Sequence, residues 1–215
     1  NAQNSELLYS VLNDPGLYLV YLEKNKDKIS SIAYGKSKTA VSKILNLSDE
    51  KDELLENVAE YIVEHNIETT NLSLQKLLYY CQLFSYVLFD KPMFKSTCNA
   101  WEHGPVYKDV YYKYKMNGNN PIESTNSISI DLDTKKLVDA IIDNFGCFSG
   151  AVLCYFTHSE SPWKKSYDIA SNIDNCDLKS FANKLKEEYQ INDISDIDKY
   201  VKASITNFKK NRGIN

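Results

Sequence analysis

The chain has 215 residues, 43% of them hydrophobic, with only 7 Gly and 5 Pro. It can therefore bury a core, and a low-complexity or disordered polymer is excluded over most of its length. The formal net charge is −4 and Arg212 is the only arginine, whereas nucleic-acid binders usually carry a basic surplus and use arginine for bidentate contacts, so only a small local basic face is left for such a role.

Five cysteines, Cys81, Cys98, Cys147, Cys154 and Cys176, are odd in number and form no CxxC pair. This pattern argues against a disulfide framework and a zinc site, and the expectation is reduced thiols in a cytoplasmic protein. No run approaches the length of a membrane span, and no signal-peptide pattern is visible. The chain starts at Asn1 without methionine, which raises the expectation of a module upstream. Sixteen tyrosines suit a core periphery or an interface.

Few helix breakers predict a mainly helical, compact all-α domain with at most a small β-hairpin. Asp14-Pro15 reads as an N-cap with proline at N1, opening a helix to about Lys26. A short segment Ile29 to Tyr34 precedes Gly35 and a second short helix, Lys36 to Leu45. Ser48 is expected to cap a helix from about Asp49 to His65, with Leu54, Leu55, Val58, Ala59, Ile62 and Val63 on one face. His65 at its end meets the negative pole of the dipole.

Ser73 to Phe89 carries too wide an apolar surface for a half-exposed helix and is expected at the centre of the fold. Phe94 to Trp101 reads as partly extended. Pro105 is expected to start a helix reaching Met116, with Gly104 supplying a conformation that other residues resist. Ser127 to Asp131 alternates with period two and predicts a strand or hairpin arm. Helices follow at Thr134 to Asn144, Ser149 to His158, Pro162 to Ile169, Leu178 to Tyr189 and Ile197 to Lys210. The expected division is residues 1–48 as a helical arm or the tail of an upstream module, and 49–215 as the helical domain.

Three blocks, LQKLLYYCQLFSYVLFDKPMF, AWEHGPVYKDVYYKYK and FTHSESPWKKSY, resemble in order and spacing the signature of the Panacea domain family, SocA-like and also described as phage-associated GepA-like. The resemblance covers roughly residues 55–170. It implies a helical domain of bacterial or phage toxin–antitoxin systems that neutralises a cognate protein toxin by direct binding. The matching positions are Gln75, Lys76, Leu77 and Tyr79; Trp101, Gly104, Pro105 and Val106; and Thr157, His158, Glu160, Pro162 and Trp163. Most of these read as structural: Trp101 as a core ring bonding a carbonyl, Gln75 as a buried amide bonding the loop from Glu102 to Pro105.

The expected partner surface is the Tyr–Lys helix, with Tyr107, Lys108, Tyr111, Tyr112 and Lys115, joined by Tyr18 and Tyr21 of the N-terminal arm. A homo-oligomer and operator DNA read through an upstream module are further partners that this reading admits. A second reading is an autorepressor. Gly35 to Asn46 resembles the recognition helix of LacI-type repressors, with Lys36, Lys38 and Lys43 on phosphates. A third is a hydrolase or metal enzyme built on His103 and His158 with Glu102, Asp109 and Glu160, but their spacing does not bring nucleophile, base and orienter together. The expectation is a non-enzyme without metal or cofactor.

Overall fold

A computed structural model describes residues 13–45, 47, 52–124, 127–168 and 171–214. Among the described residues, ten α-helices and one two-stranded sheet make up the regular structure, apart from short 3-10 turns. The first two helices form an antiparallel pair, α1 (Pro15–Lys24) and α2 (Ser31–Leu45). Asp14 caps α1 by accepting the Leu17 amide at 3.0 Å. Residues 29–34 and 36–45 are not two elements: α2 runs unbroken through Gly35. The glycine faces open space, and an exposed helical glycine costs only about 1 kcal/mol, too little to break fifteen residues.

α3 (Glu53–His65) is capped by Asp52, which accepts the Leu55 amide; the expected cap Ser48 and the expected start at Asp49 lie outside the described residues. The second carboxylate oxygen of Asp52 accepts the amides of Lys95 and Ser96 at 2.7 and 2.8 Å, pinning a distant loop to the same helix end.

The next helix, α4 (Asn71–Phe89), is the axis of the molecule. Thr70 and Ser73 form a reciprocal capping box, and Asp90 ends the helix in the left-handed conformation. Apart from Leu72, every residue from Asn71 to Val87 is buried. A helix apolar on all sides has no solvent face, so other helices must surround it. They are α3, α6 (Leu132–Phe145), α7 (Gly150–Ser159) and α9 (Asn175–Tyr189). Gln82 extends its order into the following loop, accepting the Met93 and Phe94 amides at 2.8 Å and donating to the Phe94 carbonyl.

Strands β1 (Asn99–Trp101) and β2 (Gly104–Val106) pair antiparallel, with Ala100 opposite Pro105 and Trp101 opposite Gly104. Pro105 thus lies in a strand, not at a helix start. The helix begins three residues later, as α5 (Lys108–Tyr114). Gly104 has φ +98, a region closed to side chains with a Cβ. The segment at 171–173 lies along the outer edge of β1, where Ile173 donates to the Cys98 carbonyl at 2.8 Å. Residues 127–131 form no strand. The remaining helices are α8 (Ser161–Asp168) and α10 (Ile197–Arg212). No single described helix is long and apolar enough to cross a membrane.

Candidate protein interface

The family-block residues converge around the β1–β2 hairpin, and most of them are spent inside. Lys76 is fully buried, and its ammonium donates to the Pro105 carbonyl at 2.9 Å. Burial pushes its pKa down from 10.5 to about 8, little offset by the thiols of Cys154 and Cys98. A Cβ on Gly104 would stand 2.6 Å from Lys76 Cε and 2.9 Å from Thr157 Oγ1. The glycine is therefore required twice over, by its torsion and by the lysine that lies on it. Gln75 does not hold the Glu102–Pro105 loop. Its oxygen accepts the Tyr107 amide at 2.8 Å and its nitrogen donates to Asn71. The indole that reaches a carbonyl is Trp163, which donates to Trp101 O at 3.0 Å. Trp101 itself is half-buried, edge-on to Tyr111 at 4.9 Å. Leu77, Tyr79 and Val106 are core residues.

Glu160 is the second buried charge. It is 3% exposed and accepts hydroxyls from Tyr200 at 2.5 Å, Tyr79 at 2.6 Å and Tyr80 at 3.0 Å. Burial raises its pKa to about 7, partly opposed by the three hydroxyls. The residues that the enzyme reading would need form no joint site: His103 and the Glu102 backbone lie near His158, but Glu160 and Asp109 face other groups. Glu160 faces tyrosines, and His158 stacks on Trp163 at 3.9 Å. Burial, then the charges of Lys76 and His103, lowers the His158 pKa. Glu102 and His103 occupy the exposed hairpin turn. Asp109 lies at the start of α5, its pKa raised by burial and then by Glu56 and Asp52. Among the described residues no three His, Cys, Asp or Glu are grouped to hold a metal ion.

The Tyr–Lys helix is largely occupied from within. Tyr107 is 1% exposed and packs edge-on against Phe94, so it offers nothing to a partner. Tyr112 covers Gly16, where a Cβ would fall 2.3 Å from its ring. Lys115 pairs with Asp14 at 2.6 Å, and Lys108 reaches the Leu45 carbonyl at 3.5 Å. α5 is therefore the seat of the α1–α2 pair. Tyr111, Tyr18 and Tyr21 are half-exposed. The pair has its own small core of Leu19, Leu22 and Val41, separate from the main one.

Between this pair and the α3–α5 wall lies a cleft of about 890 Å³. Leu19, Val20, Leu55 and Tyr112 supply apolar lining, and both signs of charge line it as well, Asp52 and Asp109 against Lys24 and Lys38. Of the lysines weighed for DNA, Lys38 is committed to Glu23 at 2.7 Å, while Lys36 and Lys43 point to solvent on an unbroken helix. The break at Gly35 that the recognition-helix reading needs is absent, because residues 31–45 form one helix.

Buried tyrosine clasps, a strand hairpin locked onto a central helix, and half-open helical surfaces define a helical domain whose distinctive side chains are spent on its own architecture. Residues 74–164 match the family model described as "Antitoxin SocA-like, Panacea domain". No curated protein and no solved structure gives a significant match.

Proposed function

We propose that this protein is an antitoxin that neutralises a cognate protein toxin by binding it directly in the cytoplasm, without chemistry of its own. The observation that carries the reading is the SocA-like Panacea match across α4 to α8. The interior supports it. Of the family-block groups that chemistry would recruit, Lys76 and Glu160 are buried and hydrogen-bonded within the fold, and His158 is half-buried and stacked on Trp163. What remains for a partner is surface, and steric cover of a toxin needs only surface.

The test is co-expression of the full chain with the product of the adjacent gene. The expected result is rescue of growth and a stable complex through two chromatographic steps. A toxic neighbour that neither binds the chain nor is silenced by it refutes the reading.

A further inference from the structure

We infer that the outer face of α2 is the docking face for an acidic surface of the toxin, an assignment that rests on the antitoxin reading and gives it a location. α2 is fifteen residues long and buries one of them, Val41. Isolated helices of that length are marginal in water, and stable helices normally bury a continuous stripe. The inner side, with Tyr34, Val41 and Leu45, meets α1.

The opposite side is a second stripe at helical spacing: Ile32, Lys36, Ala40, Lys43 and Ile44. Ile32 is 71% exposed and Ile44 65%; Lys36, Ala40 and Lys43 are exposed too. Among the described residues no ion pair engages Lys36 or Lys43, in contrast to Lys38 on the inner side. The stripe is thus aliphatic at both ends and cationic between them.

Charge names the partner. Residues 14–45 hold six lysines against three carboxylates, while the whole chain has 25 basic against 29 acidic residues. The helical pair is a basic projection on an acidic body, and its long-range field draws negatively charged surfaces to α2. Both a nucleic acid and an acidic protein would answer to the lysines, but only a protein also gains by covering two isoleucines, since phosphate contacts leave them in water. The absence of arginine from the stripe points the same way. The occupant is therefore a protein surface with an acidic centre and apolar flanks.

The experiment measures binding of the full-length chain to the purified product of the adjacent gene at low and moderate salt. Two double variants on the exposed stripe are compared with the parent: Lys36→Glu with Lys43→Glu, and Ile32→Ala with Ile44→Ala. Lys179→Glu, on the far side in α9, is the control, and circular dichroism confirms an unchanged helix content. The charge reversal is expected to weaken binding at least tenfold and to flatten its salt dependence. The alanine pair is expected to weaken binding by about tenfold with the salt dependence kept, and the control to stay within twofold. Amide exchange in the complex should slow over residues 31–45. A complex that both double variants leave intact overturns this assignment while the antitoxin reading stands. No complex with any neighbour overturns both. Binding of the parent to duplex DNA that the charge reversal abolishes, beside an unaffected protein complex, overturns it in favour of nucleic acid.

Discussion

Replacing Glu160 by glutamine keeps its shape and removes its proton. The native carboxyl holds that proton up to about pH 7, because burial raises its pKa more than the hydroxyls of Tyr200, Tyr79 and Tyr80 lower it; the ordinary value is 4.5. Between those two pH values the unfolded chain has released the proton and the native chain still binds it. Stability from this group is therefore present at acid pH and lost as pH rises, levelling off above about 7. At 1.36 kcal/mol per pH unit the loss across the window is about 3 kcal/mol. Glutamine titrates in neither state. The unfolding free energy of the parent minus that of Glu160→Gln should therefore fall by about 3 kcal/mol from acid to mildly alkaline pH. The difference is independent of whatever the amide does to stability at any single pH. Urea titrations followed by the fluorescence of Trp101 and Trp163 at four pH values would measure it. Parallel curves for parent and variant would show that the clasp does not hold a proton, and the argument would fail.

Lys76 offers the mirror case at higher pH. Its depressed pKa, about 8 against 10.5, means that the native amine is neutral where the unfolded one is still charged, so stability rises between those values. The parent should gain about 3 kcal/mol on Lys76→Met across that window in the same urea assay. Gly104→Ala places a methyl against Lys76 Cε and Thr157 Oγ1 at a positive φ; a loss of at least about 2 kcal/mol is expected in thermal or urea unfolding. Gly16→Val drives a side chain into the Tyr112 ring. It should lift the helical pair from α5, seen as faster proteolysis within residues 14–45 while the main unfolding transition stays within about 0.5 kcal/mol.

The fold was legible where local chemistry decides it. Asp14 before Pro15 and Ser149 before α7 cap as their residue types demand, and the all-round apolar pattern of α4 placed it at the centre. Gly35 misled, because a glycine signals a break only when packing or a turn needs one; facing open space, it rides inside the helix. Pro105 misled in the same way. A proline before a Tyr–Lys run suits a helix start, but β2 is an edge strand where a missing N–H is tolerated. The alternation at 127–131 is not matched by a strand.

At the site, sequence could mark Gln75, Lys76, Trp101, Gly104, Pro105, His158 and Trp163 as block members without saying who holds whom. Lys76 and Pro105 are 29 residues apart, and a fully buried lysine runs against composition-based expectation. Tyr107 is inside for the same kind of reason: a phenol alternating with lysines looks exposed until Phe94, from a different loop, closes over it. Glu160 looked like raw material for catalysis, and only the folded chain shows the three phenols that enclose it, Tyr79 and Tyr80 of α4 and Tyr200 of α10. Asp52, which fastens a distant loop to a helix end, carried no motif at all, and Gln82, which holds the loop at 93–94 to the body of α4, lay in the first block without being singled out.

The hydroxyl of Tyr200 reaches Glu160 from 40 residues further along the chain, beyond the stretch ending at 164 that carries the family likeness. The boundary drawn by similarity is thus narrower than the unit that must assemble cooperatively. A fragment trimmed to the likeness would strand an acid in oil with two donors in place of three and strip α9 from the central helix. Recombinant work on this architecture should carry the chain through α10, and a nascent chain closes this core only after α10 has been made.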